Sequence, residues 1–422
     1  VRIAEKAKID VIFIADHLAV WDERNLGLTH YANPRLDPVA LVAALSAVTT
    51  DIGFLVTAST SYSEPYNIAR TFASIDHIGK GRVGWNIVTS PLDEEAQNFG
   101  RDANPLHAVR YERADEFVDV TKALWDSWEQ DSLTIDKNKG VFADRSRIHY
   151  LNHKGKYFQV KGPLNVGPSP QGRPLLVQAG SSKAGMNLAA KHADLHFAIF
   201  QDIAGGLTYR AQISELLERN GRRADDLRIL AGIVPIVGKT TEDAQKKQAY
   251  LETLMVDDVA IAVLSTWCGI DLFSFPPDGP MPPLPEDATH NGWKTWLNLV
   301  RLQDKKLSIR QLARKITHSG SVPFVIGTPS QVADQLEAWF TSGAVDGFNL
   351  MFPILPNDWT DFMELVVPGL QARGLFQSEY APGTLRDKLC FQPAVNRWTV
   401  ERQPRCKEQS ASDNEDKINI LE

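Results

Sequence analysis

The feature of this sequence that most constrains its fold is a regular alternation of short apolar strands with amphipathic helices. The predicted strands are largely apolar throughout, which is typical of parallel strands that are buried on both faces. They lie at 11–15, 52–56, 82–88, 175–178, 195–199, 228–237 and 348–352. Strands that alternate with helices form a parallel sheet covered by helices. The pattern therefore predicts either a (β/α)8 barrel, which needs eight strands, or an open doubly wound sheet.

Polar side chains follow several of these strands, at the point where each strand ends. Asp16 and His17 follow the first strand, the hydroxyl-rich run 57–60 closes the second, and Asn86 and Thr89 close the third. In a barrel the carboxyl ends of the strands form the catalytic face. The clustering therefore favours a barrel with a polar rim around a pocket.

Capping residues mark the starts of several helices. Asp37 precedes Pro38, Asn104 precedes Pro105, and Thr328 stands three residues before Gln331 in a capping box. Each pattern supplies a side-chain oxygen to the free N–H groups of a helix start.

Three stretches interrupt the alternation. Residues 130–173 contain a predicted hairpin, 148–160, that turns at Lys154 and Gly155. Residues 256–320 carry six prolines between Pro276 and Pro285, too many for a helix or a central strand, and form either a lid or a surface excursion. We expect 1–396 to be one barrel domain with these insertions, and 397–422 to be a disordered polar tail.

Composition and short motifs exclude several functions. The net charge of −7 disfavours a nucleic-acid binder, and the absence of an 18-residue apolar run argues against a transmembrane protein, so we expect a cytoplasmic location. Three cysteines without a C-x-x-C pair argue against structural zinc. His149 and His153 are four apart but lie in the predicted hairpin, so we predict no metal site. Neither a G-x-S-x-G elbow nor a G-x-G-x-x-G fingerprint follows a strand.

The segment 178–185, Gln-Ala-Gly-Ser-Ser-Lys-Ala-Gly, joins a strand end to a helix start. Small residues allow a tight turn, Ser181 and Ser182 add hydroxyls, and free N–H groups at a helix start attract an anion such as phosphate. The alternative is an ordinary serine N-cap after a turn.

His107 and Tyr111 lie four residues apart at the start of another predicted helix, and therefore one turn apart on the same face. A phenol and an imidazole placed in this way could hold a phosphate or the polar edge of a ring. The alternative is a helix face that packs against a neighbouring element.

Several of these blocks together resemble a known family. The blocks occur along the chain in this order: Ala-Asp-His at 15–17, the run 57–67, Gly-Trp-Asn-Ile-Val-Thr-Ser at 84–90, His107-x-x-Arg110-Tyr111, Gln-Gly-Arg-Pro at 171–174 with Gln-Ala-Gly-Ser-Ser at 178–182, and 347–353. This order is similar to the nitrilotriacetate and dibenzothiophene-sulfone monooxygenase branch of the bacterial luciferase-like superfamily. The similarity covers roughly residues 1–396.

The resemblance implies a TIM-type barrel that binds reduced FMN and uses O2 to oxygenate a small organic substrate, often with cleavage of a C–N or C–S bond. A separate NAD(P)H-dependent flavin reductase would supply the FMNH2, and a homodimer or larger homo-oligomer is expected. The residues that match flavin-contacting positions are Asp16, Thr57, His107, Tyr111 and Ser182. Ser181, Ser182 and Tyr111 would hold the phosphate; Asp16 and Thr57 would lie nearer the ring, with Asn86 and Thr89 as neighbours. His17 is a candidate catalytic residue by position.

The resemblance also implies a difference from the family. Its members begin with a further strand and loop before the segment that matches Ala4 to Asp16, so we expect a barrel that lacks its first β-strand, between the Val11 and Phe348 strands. Unpaired edges on those two strands would favour aggregation. The missing strand leaves open a truncated, non-catalytic flavin-binding paralogue. A second alternative is a deazaflavin (F420)-dependent oxidoreductase, since the same superfamily includes such enzymes.

Overall fold

One parallel sheet forms the centre of the computed structural model, which describes residues 1–284, 307–318 and 322–402. In chain order the strands are β1 Val11–Ile14, β2 Gly53–Ser59, β3 Val83–Val88, β4 Leu133–Asp136, β5 Val141–Ala143, β6 His153–Lys154, β7 Gln159–Val160, β8 Leu175–Gln178, β9 Leu195–Ala198, β10 Arg228–Val237, β11 Phe324–Gly327 and β12 Gly347–Leu350. In the central sheet β1, β2, β3, β8, β9, β10 and β11 are hydrogen-bonded in that order, and β12 pairs with β10.

Helices follow the strands and cover the sheet. They are α1 Arg2–Lys6, α2 Gly27–His30, α3 Pro38–Ala47, α4 Pro65–Ile78, α5 Asp93–Asn98, α6 His107–Trp125, α7 Lys183–His192, α8 Ile203–Arg219, α9 Thr241–Thr253, α10 Asp257–Cys268, α11 Ile309–Thr317, α12 Pro329–Thr341, α13 Asn357–Asp361, a π-helical turn Phe362–Val366, α14 Val367–Ala372, α15 Leu385–Lys388 and α16 Arg397–Arg402. Among the residues described, none of these helices is long and apolar enough to cross a membrane.

The predicted β/α alternation is confirmed, and the sheet nearly closes into a barrel. All the predicted strands are present and parallel. The additional strand β11 pairs with the second half of β10, where Val234 lies opposite Phe324. It was not predicted, although its four residues, Phe-Val-Ile-Gly, are as short and as apolar as those of β8.

The core lies between β2 and β3 and the helices outside them. Trp85 of β3 is fully buried, and its ring centroid lies 5.8 Å from those of both Phe72 on α4 and Phe117 on α6. The indole N–H of Trp125 donates to the carbonyl oxygen of Ala69 at 2.9 Å. This packing fixes α6, which carries His107 and Tyr111, against the third strand.

Two of the predicted helix caps form as expected and one does not. The Asp37 carboxylate accepts from the Ala40 N–H at 2.8 Å, and Thr328 and Gln331 form the capping box. The prediction for Asn104 was wrong: α6 begins at His107 after Leu106. The Asn104 side chain instead donates to the Leu92 carbonyl at 2.5 Å and accepts from the Tyr62 hydroxyl, so it ties the preceding loop together.

The barrel remains open at one seam. Among the described residues β1 pairs only with β2, and β12 only with β10, so each has an edge without a partner strand. A largely apolar cavity of about 410 Å³ separates them. Its lining includes Ile12, Phe13, Phe348, Leu350 and Phe376. The seam lies where the sequence predicts a missing strand.

The first interruption contains two small hairpins, of which one was predicted. β6 and β7 form the second half of the predicted 148–160 hairpin, and the Gly155 N–H donates to the Phe158 carbonyl across the turn at 2.9 Å. The β4/β5 hairpin was not predicted; its strands are three and four residues long and mostly exposed.

The second interruption and the tail contain more helix than the sequence suggested. Between 256 and 320, α10 and α11 pack together around Leu264 and Leu312, while 285–306 lies outside the described residues. Helix α16 covers the first residues of the predicted tail, and the disorder of the tail stays a prediction. The Arg397 side chain and N–H both contact the buried Asp126 carboxylate at 3.2 Å, which explains the order there. Residues 403–422 lie outside the described residues.

Candidate functional site

Most of the site residues predicted from the sequence lie at the carboxyl ends of four neighbouring strands or just beyond them. The register places Ile14 opposite Val56, Thr57 opposite Asn86, and Ile87 opposite Gln178. Parallel strands end at the same edge of a sheet, so the segments after β1, β2, β3 and β8 meet at one rim. That rim carries Asp16, His17, Thr57, Asn86, Thr89, Ser181 and Ser182.

At the centre of the rim, Thr57 and Asn86 form a buried hydrogen-bond chain. The Thr57 hydroxyl donates to the Ile14 carbonyl at 2.7 Å, and the Asn86 amide Nδ2 donates to Thr57 Oγ1 at 2.9 Å. Asn86 Oδ1 is buried and has no hydrogen-bond partner among the described residues. A buried acceptor without a donor costs about 1–3 kcal/mol, so this oxygen is suited to a ligand N–H.

Beyond β8 the chain turns tightly into α7. The Gly180 N–H donates to the Gln178 side-chain oxygen at 2.7 Å, and Ser182 caps the helix by accepting from the Gly185 N–H at 3.1 Å. A Cβ on Gly180 would lie 2.6 Å from the Tyr111 hydroxyl oxygen and 2.7 Å from Gln178 Nε2. Only glycine therefore fits here without displacing side chains, and it lets Tyr111 and Gln178 approach the backbone closely.

His107 and Tyr111 extend from the start of α6 towards the same turn. Their ring centroids are 4.7 Å apart, and His107 Nε2 lies 3.4 Å from Ser182 Oγ. The structure thus brings together an imidazole, a phenol and a serine hydroxyl at the N-terminus of a ten-residue helix. Hydrogen-bond donors of this kind beside a positive helix end fit a phosphate monoester. We call His107, Tyr111, Ser181 and Ser182 the phosphate cluster.

Thr89 is held in the rim by its backbone. Its carbonyl accepts from the Ser61 hydroxyl at 2.8 Å and from the Arg110 guanidinium at 3.3 Å. Arg110 is buried and also donates to the Ser90 carbonyl at 2.5 Å. Burial lowers the pKa of its guanidinium from the usual value. Sequence reasoning assigned Arg110 no role, yet it fixes the turn that follows β3 to the helix of the phosphate cluster.

Asp16 and His17 lie after β1, three strands away from the phosphate cluster. Burial raises the pKa of Asp16, partly offset by a backbone N–H and by Arg35. Loss of hydration lowers the pKa of His17, and the Glu95 carboxylate opposes that shift. Glu95 is buried and accepts from the N–H groups of Leu18 and Leu92 at 3.0 and 3.1 Å. His17 is therefore more readily neutral than a free histidine and able to accept a proton.

A cavity of about 570 Å³ opens beside this end of the rim. His17, Leu92 and Met351 line it, and they follow β1, β3 and β12 respectively. Its other walls come from the loop 19–35 and from helix α10. A volume of this size is typical of small-molecule sites. We call it the rim cavity.

Two further groups at the rim make contacts that sequence reasoning did not assign. Gln178 is buried at the end of β8 and positions the Gly180 N–H, and Ser59 and Ser90 hydrogen-bond to each other at 2.8 Å. Gln178 could have been found by the strand-end rule that identified Asn86. Glu95 carries no such signal, because its role depends on the fold.

The histidines considered for metal binding are paired with carboxylates. His149 Nε2 lies 2.7 Å from Glu129, and His153 Nε2 lies 2.9 Å from Glu116. Among the described residues one group has metal-ligand spacing: Asp115, Asp119 and His192. There the Lys191 ammonium lies 2.8 and 3.0 Å from the two aspartates, in the position that a cation would take.

Comparison with known proteins shows which family has this sequence and architecture. The luciferase-like monooxygenase family profile matches residues 1–346. The chain is 41% identical to N-acetyl-S-(2-succino)cysteine monooxygenase of Bacillus subtilis (strain 168), over 94% of this chain and 90% of that protein. It is 42% identical to nitrilotriacetate monooxygenase component A of Aminobacter aminovorans, over 92% and 88%. It is 38% identical to dibenzothiophene-sulfone monooxygenase of Rhodococcus erythropolis, over 92% and 88%.

Solved structures agree with these sequence matches. The crystal structure of DmoA from Hyphomicrobium sulfonivorans superposes with a TM-score of 0.83 at 36% identity, over 92% of this chain and 83% of that one. Riboflavin lyase (RcaE), solved with modified FMN and riboflavin, gives a TM-score of 0.83 at 33% identity, over 92% and 86%.

Proposed function

The chain belongs to the luciferase-like monooxygenase family, and we propose that it is the oxygenase component of a two-component system that uses reduced FMN and O2. The expected resemblance is confirmed at the level of the family and of relatives named as nitrilotriacetate and dibenzothiophene-sulfone monooxygenases. The choice of FMN, the flavin contacts and the partner reductase are the proposal.

The observation that carries this proposal is the phosphate cluster at the start of α7. His107 lies 3.4 Å from Ser182, and the Tyr111 hydroxyl approaches the backbone at Gly180. Ser181 and Ser182 would donate to the FMN phosphate together with Tyr111, and the positive end of the α7 dipole would stabilise its charge. A riboflavin without phosphate would leave these donors without that partner.

The polar groups after β1, β2 and β3 would hold the ring end of the cofactor. Asn86 Oδ1 is the buried acceptor that lacks a donor, and Thr57 fixes the amide that carries it. Asp16 and Thr89 would line the same end of the rim. Bound reduced flavin would supply the electrons that activate O2, while the protein positions the cofactor and excludes water.

The remaining roles follow from this arrangement. The substrate would enter the rim cavity, with His17 as a proton acceptor, because His17 is the titratable side chain that links the cavity to the rim. A flavin reductase would deliver FMNH2, in line with the relative named as component A of its system. Oxygenation could end in cleavage of a C–N or C–S bond.

A single-turnover experiment tests the proposed function. The purified chain is loaded with FMNH2 without oxygen, mixed with 18O2 and a panel of amines, thioethers and sulfones, and the products are analysed by mass spectrometry. We expect 18O in an organic product and a much lower yield in Ser182→Ala. Thr240→Ala is the matched control, because Thr240 caps α9 through the Asp243 N–H at 3.1 Å, outside the rim.

Two results of this experiment would contradict the proposed function, and a third would assign a different cofactor. No flavin binding by a folded chain contradicts the proposal, as does flavin binding without oxygen transfer to any member of the panel. Tighter binding of reduced deazaflavin than of FMNH2, with hydride transfer in place of oxygen transfer, would instead assign the chain to the deazaflavin-dependent enzymes of this fold.

A further inference from the structure

We propose that the rim cavity selects an organic anion: a substrate with an apolar body of aromatic or branched aliphatic character and one carboxylate or sulfonate group, recognised by Arg35. This inference rests on the proposed function, since it names the substrate class of the same site. It is carried by the shape, the apolar walls and the charge of the cavity.

One wall of the cavity is an apolar helix face. Val259, Ala260, Val263 and Trp267 of α10 line it, at the spacing of three and four residues that places side chains on one side of a helix. Leu254, Met255 and Val256 continue this surface before the helix begins. The substrate body that contacts this wall is therefore apolar, because a polar group there would lose water without gaining a partner.

A second wall of the cavity is aromatic, and hydrogen bonds hold its loop in place. Trp21 and Tyr31 meet edge to face with ring centroids 5.6 Å apart. The Asn33 side chain closes their loop by accepting from the Trp21 N–H at 2.8 Å and donating to the Trp21 and Gly27 carbonyls at 3.0 and 2.9 Å. Aromatic rings fixed in this way favour a flat or compact apolar body.

The two walls are tied to each other. Arg24, in the loop of the aromatic wall, forms an ion pair with Asp271 at 2.5 Å, and its guanidinium lies 4.5 Å from the centre of the Phe273 ring. Asp271 and Phe273 follow directly after α10. The cavity is therefore preformed, which lowers the cost of ordering its walls around a ligand.

The charge of the cavity is the opposite of that of the whole chain. The chain carries a net charge of −7, yet none of the described residues that line the cavity is Asp or Glu. Its lining contains Arg35 together with His17 and His30. Arg35 adds a permanent positive charge to a lining that contains no carboxylate, which favours an anion over a cation.

Acidic groups influence Arg35 electrostatically but form no ion pair with it among the described residues. Arg35 forms no ion pair within 4.0 Å among the described residues, although its charge is close enough to lower the pKa of Asp16. Asp37 accepts from the Ala40 N–H as the cap of α3, and Glu95 accepts from two backbone N–H groups. Arg35 is exposed and so remains available to a ligand carboxylate or sulfonate.

Equilibrium binding of three matched probes tests this proposal without turnover. Naphthalene-2-carboxylate, naphthalene-2-sulfonate and neutral naphthalene-2-methanol are titrated calorimetrically into the full chain, with and without FMN. We expect the better anion to bind at least about tenfold more tightly than the alcohol, and the two anions show which head group Arg35 prefers. In Arg35→Gln this preference disappears, while Arg35→Lys retains much of it.

Two further variants separate the cavity from the rest of the surface. Arg219→Gln removes an exposed arginine whose ion pair is with Glu215, and it should bind all three probes as the wild type does. Val263→Phe fills the cavity and should weaken all three probes. Equal binding of the alcohol and the anions, or an unchanged preference in Arg35→Gln, would overturn the proposal. Loss of FMN binding with intact probe selectivity would instead contradict the proposed function alone.

Discussion

At the scale of single residues, the site depends on backbone positions that a side chain cannot share. Gly180 lies against the Tyr111 hydroxyl and the Gln178 amide, so an added methyl group must displace one of them. The other glycine of this turn, Gly185, is confined as well, since a Cβ there would lie 2.4 Å from the Gly180 carbonyl oxygen. Both glycines allow α6 and α7 to meet at the phosphate cluster.

Replacement of Gly180 by alanine should therefore weaken FMN binding by about tenfold or more while the fold is retained. The measurement is a fluorescence titration of FMN with the purified variant. Gly369→Ala is the matched control, because a Cβ added at this position of α14 would meet nothing within 4 Å beyond its own helix, and its FMN affinity should equal that of the wild type. Equal FMN affinity in both variants would remove Gly180 from the site.

A second residue-scale prediction concerns Asp10, which lies next to β1 at the open seam. Burial raises its pKa to about 6, although the Gln377 amide donates to it at 2.9 Å. The unfolded chain releases this proton near pH 4, so the folded protein loses stability as pH rises from about 4 to 6, and the loss persists above that range. Two pKa units correspond to about 3 kcal/mol.

Asp10→Asn should therefore raise the midpoint of urea unfolding at pH 7.5 and leave it nearly unchanged at pH 3.5. Asparagine can still accept from Gln377, so the hydrogen bond itself is retained. A variant that is no more stable than the wild type at pH 7.5 would show that the Asp10 carboxylate is well solvated.

The site residues that sequence reasoning found are those whose chemistry shows at a strand end or a helix start. Thr57, Asn86 and Ser182 are of this kind, and the structure places each at the rim. Arg35 and Glu95 carry no local signal, because their roles arise from elements that meet only in the folded chain. The flavin contacts themselves stay a prediction.

At the scale of elements, the two ends of the barrel have different tasks. The phosphate cluster and the rim lie at the carboxyl ends of the strands, and the opposite end is held by the buried Arg82. Its guanidinium donates at 2.7–3.1 Å to acceptors from three neighbouring segments: the Ser46, Thr49, Ile52 and Gly79 carbonyls and the Thr49 hydroxyl. These bonds join the segments around Arg82 to one another, so this end of the barrel serves stability.

Arg82→Met should lower the free energy of unfolding by about 3–5 kcal/mol, because several buried carbonyls lose their donor. Chemical denaturation measures this loss. FMN affinity, measured well below the unfolding midpoint, should stay within about twofold of the wild type. A large loss of FMN affinity in the folded variant would mean that the two ends of the barrel are coupled.

The elements themselves were largely predictable, for a physical reason. Strands buried on both faces show as apolar runs, and α4 shows Ile68, Phe72 and Ile75 on its buried side, as the spacing predicts. The exposed β4/β5 hairpin lacks a buried apolar run, and it was not predicted. The short strand β11 was also missed, although its residues are apolar. Helix α8 begins at Ile203 because Asp202 caps it by accepting from the Gly205 N–H at 2.7 Å.

At the scale of the whole molecule, the open seam is the feature that separates this fold from a closed barrel. Edge strands carry backbone groups without partners, so β1 and β12 should open more readily than the central strands. We expect amide hydrogens of β1 and β12 to exchange with deuterium at least about tenfold faster than those of β2 and β3. Equal protection of all four strands, measured by mass spectrometry, would show that both edges are covered in solution.

The proposed function depends on whether the rim binds the phosphate of a flavin. The most direct measurement compares anaerobic titrations of the chain with reduced FMN and with reduced riboflavin, in the wild type and in Ser182→Ala. We predict one FMNH2 site per chain, an affinity at least about tenfold higher for FMNH2 than for reduced riboflavin, and loss of that difference in Ser182→Ala. Equal affinity for the two flavins in the wild type, or no binding of either by the folded chain, would contradict the proposed function.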